Sequence, residues 1–154
     1  MAKTLRKIEI AVLAIGGAIA ISAVLYAGRG AFQANTAWTE GTEKLVNFLL
    51  TLGALVVVCG VALLPYVCLF FLGRFLPADA TASRAGGLAI CVATVMASAV
   101  LYFEATRAVH GPGARSTSAI LFALFPAFLL LASAALYLLL ILAGRLSSNR
   151  GRGA

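Results

Sequence analysis

The sequence predicts an all-α fold, an integral membrane bundle of four transmembrane helices, antiparallel up-down, with both termini cytoplasmic. Three observations carry that expectation. Of the 154 residues, 62% are hydrophobic and 11% are charged, against about a quarter charged in an ordinary soluble domain. The apolar residues gather in four runs, approximately residues 8–27, 45–72, 86–106 and 117–143, with nearly all charges between them. At about 1.5 Å of rise per residue, each run is long enough to cross a hydrocarbon core of about 30 Å. Finally, Lys and Arg are unevenly distributed: eight lie in the N-terminus, the second connection and the C-terminal tail, and four in the first and third connections. The positive-inside rule assigns the richer side, and hence both termini, to the cytoplasm.

Four spans and their connections use the whole length, so residues 1–154 form a single membrane domain, with a mobile basic tail at 145–154. The basic start Lys3, Arg6 and Lys7 would also suit a signal peptide. The apolar run behind it is longer than the usual 7–15 residues, and it is read as a retained helix. Ala, Gly and Arg are abundant and Lys is scarce, a composition that fits a GC-rich bacterial genome and the inner membrane.

The net charge of +7 does not indicate nucleic acid, because the basic residues flank the spans instead of forming one dense patch. Cys59, Cys68 and Cys91 lie inside spans without a CxxC pair, which argues against a disulfide framework or a zinc site. His110 stands alone on the third connection, too few ligands for a metal. No cofactor is expected.

In the first span, Glu9 stands in the opening turn, where its charge meets the positive end of the helix dipole and it can reach Arg6 and Lys7. Ala14, Ala18 and Ser22 recur every four residues and form a small-residue face suited to close helix packing. Gly28-Arg29-Gly30 begins an outer loop running to Trp38, with Tyr26, Phe32 and Trp38 at the membrane–water interface. In the second span, Pro65 predicts a kink or break. Tyr66, Phe70, Phe71 and Phe75 then form an aromatic cluster near Arg74.

The third span has the clearest small-residue stripe, Ala85, Ala89, Ala93 and Ala97, and is expected at the centre of the bundle. Tyr102 and Phe103 mark its outer interface. Glu104 and Arg107, three apart, can pair along one face, and Glu104 is the leading candidate for an ionisable site. The fourth span contains Pro126, with Leu129–Leu131 and Leu138–Leu140 reading as lipid-facing.

No nucleophile–base pair, metal cluster or paired carboxylates can be found. The leading expectation is therefore a non-catalytic subunit or interaction partner of a larger membrane assembly. Its partners would be the lipid bilayer and either another membrane protein or further copies of itself. A second reading comes from Trp38-Thr39-Glu40 before the second span. This stretch resembles the small four-helix membrane subunit of TRAP-type carboxylate transporters, which carries a Trp-Ser/Thr-Glu-Glu run there. Gly41 stands in place of the second acid, with Glu43 displaced. The resemblance implies a scaffold for a larger transporter subunit. A third reading is an oligomeric, holin-like pore lined by Thr51, Thr94, Ser98 and Ser133 from several subunits.

Overall fold

The computed structural model describes residues 1–37, 41–76, 81–110 and 117–150. Four helices follow one another: α1 (Ala2–Ala37), α2 (Thr42–Leu72), α3 (Thr81–His110) and α4 (Thr117–Arg150). Each contains an apolar stretch long enough to span a bilayer. The helices overrun the apolar runs because 30 or more residues extend about 45 Å or further, beyond a 30 Å core.

Helix extents differ from the expected spans at two places. Residues 28–37, read as an outer loop, continue α1. A Cβ at Gly28 would meet Leu55 at 2.6 Å, so this glycine permits close packing of α2 where the sequence suggested a turn. Of the kink or break expected at Pro65, the break is not found: α2 continues through this buried proline as one helix, as membrane helices allow. α4 extends past the expected end at residue 143 as far as Arg150. Trp38, Glu40 and Asp79 lie outside the described residues.

The ends are set locally. Met1 O accepts hydrogen bonds from Thr4 N and Leu5 N to open α1. Gly41 precedes α2 with φ 67°, a conformation that side chains disfavour, and Glu43 in the first turn complements the helix dipole.

α1 packs on α2 and α3, and α4 packs on the same two. α2 and α3, consecutive in sequence, therefore lie across a diagonal. Gly16 of α1 meets both Tyr66 of α2 and Val95 of α3. Gly86 of α3 lies against Leu140 of α4, and Gly144 of α4 against Ser83 of α3. These pairings put α1 and α3 parallel, and α2 and α4 antiparallel to them. The ends nearest both chain termini share one face of the bundle with the α2–α3 connection. Each helix has two main neighbours, so α3 is not central.

The inward faces differ from the small-residue stripes. On α1, Glu9, Leu13, Gly16, Ala20 and Val24 are buried, whereas Ala14, Ala18 and Ser22 are exposed. On α3, Arg84, Gly87, Cys91, Thr94, Ser98 and Tyr102 turn inward, leaving Ala85, Ala89, Ala93 and Ala97 on the outside. The reason is energetic. Arg, Glu, Thr, Ser and Tyr lose most if left in hydrocarbon, so they claim the interior and fix the rotation of their helix. Alanine loses little in lipid and takes what remains. For the same reason Tyr102, expected at the interface, is 2% exposed inside the bundle, while Phe103 beside it faces out. Leu50, Val56, Leu131 and Leu139 are exposed as well, an apolar exterior suited to lipid.

Candidate functional site: a buried carboxylate joining the helix ends

Glu9 is 1% exposed. Helical spacing places it on the same face as Leu13, Gly16 and Ala20, so the rotation that packs those residues carries the carboxylate inside. Three other elements converge on it. Arg84 heads the inward face of α3, Tyr137 lies on the inward face of α4 with Ser133 and Ile141, and Gly73 ends α2.

Both carboxylate oxygens have partners, Oε2 through ion pairs and Oε1 through hydrogen bonds. Oε2 lies 2.9 Å from Arg6 Nη1 and 3.9 Å from Arg84 Nη1. Oε1 accepts a hydrogen bond from the Tyr137 hydroxyl and a longer one, 3.9 Å, from the Cys91 thiol. Arg6 Nη1 makes an ion pair without an aligned hydrogen bond. The arginines are also anchored to backbone. Arg6 Nη2 donates to Phe70 O at 2.9 Å, and Arg84 donates to Gly73 O at 2.7 Å and Leu76 O at 2.8 Å. These carbonyls belong to the last turn of α2 and the chain leaving it, where helix oxygens lack intrahelical partners. Glycine at position 73 leaves the space this needs, since a Cβ there would come 2.8 Å from Glu9 Oε1 and collide with the Arg6 guanidinium.

The chemistry of this arrangement is that of a clasp. Two guanidiniums satisfy the end of α2, and one carboxylate offsets their charge while binding α4 through Tyr137. Two guanidiniums pair with the carboxylate by charge and two further groups, the Tyr137 hydroxyl and the Cys91 thiol, donate hydrogen bonds to it. Formally, two arginines against one acid leave a positive surplus at this end of the bundle. Arg74 adds to it, stacked 5.5 Å from the centres of both Phe70 and Phe71.

Further along the interior, Thr94, Ser98 and Ser133 are buried, and each donates to a carbonyl one turn earlier on its own helix, at Ile90, Thr94 and Leu129. Thr51 does the same to Asn47. The four hydroxyls singled out as pore-lining thus satisfy themselves locally. The Tyr66 hydroxyl lies near Ser98 without reaching hydrogen-bonding geometry.

Glu104 and Arg107 are paired at 3.5 Å, but their side chains are 61% and 67% exposed, and Arg107 stacks on Phe103. They are remote in sequence and in the fold from the Glu9 cluster. Sequence reasoning ranked Glu104 above Glu9 because Glu9 sits so close to a helix start. The signal that could have reversed that order was its shared face with Gly16 and Ala20. Trp38-Thr39-Glu40 falls outside the described residues. Cys59, Cys68 and Cys91 are free thiols. Among the described residues no three His, Cys, Asp or Glu side chains gather as a metal site would require.

Fold and site together define a small all-α membrane protein of four spans, clasped at one end by a buried ion-paired carboxylate. The chain matches no known protein family, no curated protein and no solved structure.

Proposed function

We propose that this chain is a non-catalytic accessory protein of the bacterial inner membrane, with both termini in the cytoplasm, that binds a larger membrane protein along the outer face of α3. The observation carrying this reading is the position of Ala85, Ala89, Ala93 and Ala97 on the outside of the bundle. Twelve residues separate the first from the last, about 18 Å of helix along which small side chains recur every turn. In lipid, where hydrophobic drive between helices is weak, such a stripe of small residues lets a neighbouring backbone come close and gain van der Waals contact. The engagement of the Glu9 carboxylate by Arg6, Arg84 and Tyr137, which joins three helices, supports a structural role for it. The transporter-scaffold reading is a special case of this proposal, in which the partner is a transport subunit.

A photo-crosslinking amino acid placed at Ala89 or Ala93 in the native membrane tests the proposal, with Leu139 on α4 as the comparison site. The expected result is a discrete protein adduct from α3 and none from Leu139. An adduct of twice the chain's mass would identify the partner as a second copy. Adducts with lipid alone, or identical adducts from both helices, would refute the proposal.

A further inference from the structure

We infer that the outer groove between α1 and α2 is a binding site for an anionic phospholipid of the leaflet at the termini-bearing end. The groove encloses about 450 Å³ and is lined by apolar side chains, among them Ile10, Ala14, Ala18, Leu63 and Phe70. It is open to the surrounding bilayer, and exposed Ala14 and Ala18 leave it deep because neither fills it. Its α1 wall extends from Ile10 to Ile21, about 16 Å of helix, close to the 15 Å or so that one leaflet's acyl chains occupy.

Charge selects the headgroup. Phe70 closes one end of the groove, and two guanidiniums lie over its ring, Arg6 at 5.3 Å and Arg74 at 5.5 Å. Arg6 is held by Glu9 and by Phe70 O. Arg74 is exposed and has no acidic partner among the described residues. Its donors remain available to a phosphate diester, which guanidinium geometry suits. Arg6, Arg84 and Glu9 add a net positive field behind it. An acyl chain in the groove thus places its phosphate at Arg74, while a zwitterionic lipid carries a cationic group that this field repels.

Native mass spectrometry of the detergent-solubilised protein, offered phosphatidylglycerol or phosphatidylcholine with matched chains, tests the assignment. Phosphatidylglycerol should be retained preferentially. Arg74→Gln should lower that retention about fivefold, the change expected for one arginine near a lipid surface. Ala18→Phe should reduce binding of both lipids by filling the groove, and Leu139→Phe on α4 should leave binding unchanged. All three variants, at exposed positions, are checked for intact helicity and monodispersity. Equal retention of the two lipids by the wild type, or no effect of Arg74→Gln, would overturn the inference. Displacement by glycerol phosphate as effective as by intact lipid would also overturn it, reducing the site to an anion contact. An altered oligomeric state in Ala18→Phe with unchanged lipid retention would make the groove a seam between copies and equally overturn it.

Discussion

Replacing Glu9 by alanine removes a carboxylate that holds donors from α1, α3 and α4, and leaves two arginines facing each other without it. At an effective dielectric near 20, its attraction is about 6 kcal/mol to a guanidinium at 2.9 Å and about 4 kcal/mol to one at 3.9 Å. Desolvating the carboxylate offsets several kcal/mol of that gain. Removal of one partner from a buried pair nevertheless costs about 3–5 kcal/mol, because the remaining charge stays where water cannot fully reach it. Arg84, with 10% of its side chain exposed, has little freedom to escape. Arg6 at 19% can turn partly outward, which places the expected loss toward the lower end, about 3 kcal/mol. Glu9→Gln preserves volume but not charge and should lose most of the same amount. Unfolding in mixed micelles, driven by SDS and followed by far-UV circular dichroism, measures the difference. Lys7→Gln, two residues away at an exposed position, is the control. A Glu9→Gln protein within about 0.5 kcal/mol of wild type, as for a surface substitution, would refute the reasoning.

Tyr137→Phe should destabilise the protein by about 1.5–3 kcal/mol in the same unfolding assay, since it deletes a hydrogen bond to a charged acceptor. Gly16→Ala should cost about 1–3 kcal/mol, because its Cβ would lie 2.5 Å from the Tyr66 ring and 2.6 Å from Val95. Adding Val95→Ala should recover part of that loss. Glu104→Gln should change stability by at most about 1 kcal/mol, the usual scale of an exposed ion pair, and equal destabilisation by Glu104→Gln and Glu9→Gln would contradict the assignment of the site.

The four spans were legible because bilayer thickness sets a length that composition alone can meet. The facing of each helix was not. Alanine stripes on α1 and α3 are conspicuous in the sequence, yet burial follows the polar residues: Glu9 rotates α1, and Arg84 with Thr94 and Ser98 rotates α3. Helix ends were underestimated because Gly28 and Gly30 read as a turn, while in a membrane helix glycine also serves close approach, as Leu55 beside Gly28 illustrates. Partner choice among helices was invisible for a different reason. α2 packs on α4 and not on its sequence neighbour α3, while Arg84 ties the start of α3 back to the end of α2 at Gly73 and Leu76, and no periodicity encodes either relation. The members of the clasp come from residues 6, 9, 84, 91 and 137, and only the fold brings them together.

The central claim is that Glu9 and Arg84 stabilise the bundle as a unit. A double-mutant cycle combining Glu9→Gln with Arg84→Gln in the micelle unfolding assay measures it most directly. The predicted outcome is a coupling energy above about 1 kcal/mol, as found for residues sharing one network. Two losses that add to within about 0.5 kcal/mol would mean independent sites and would contradict the account.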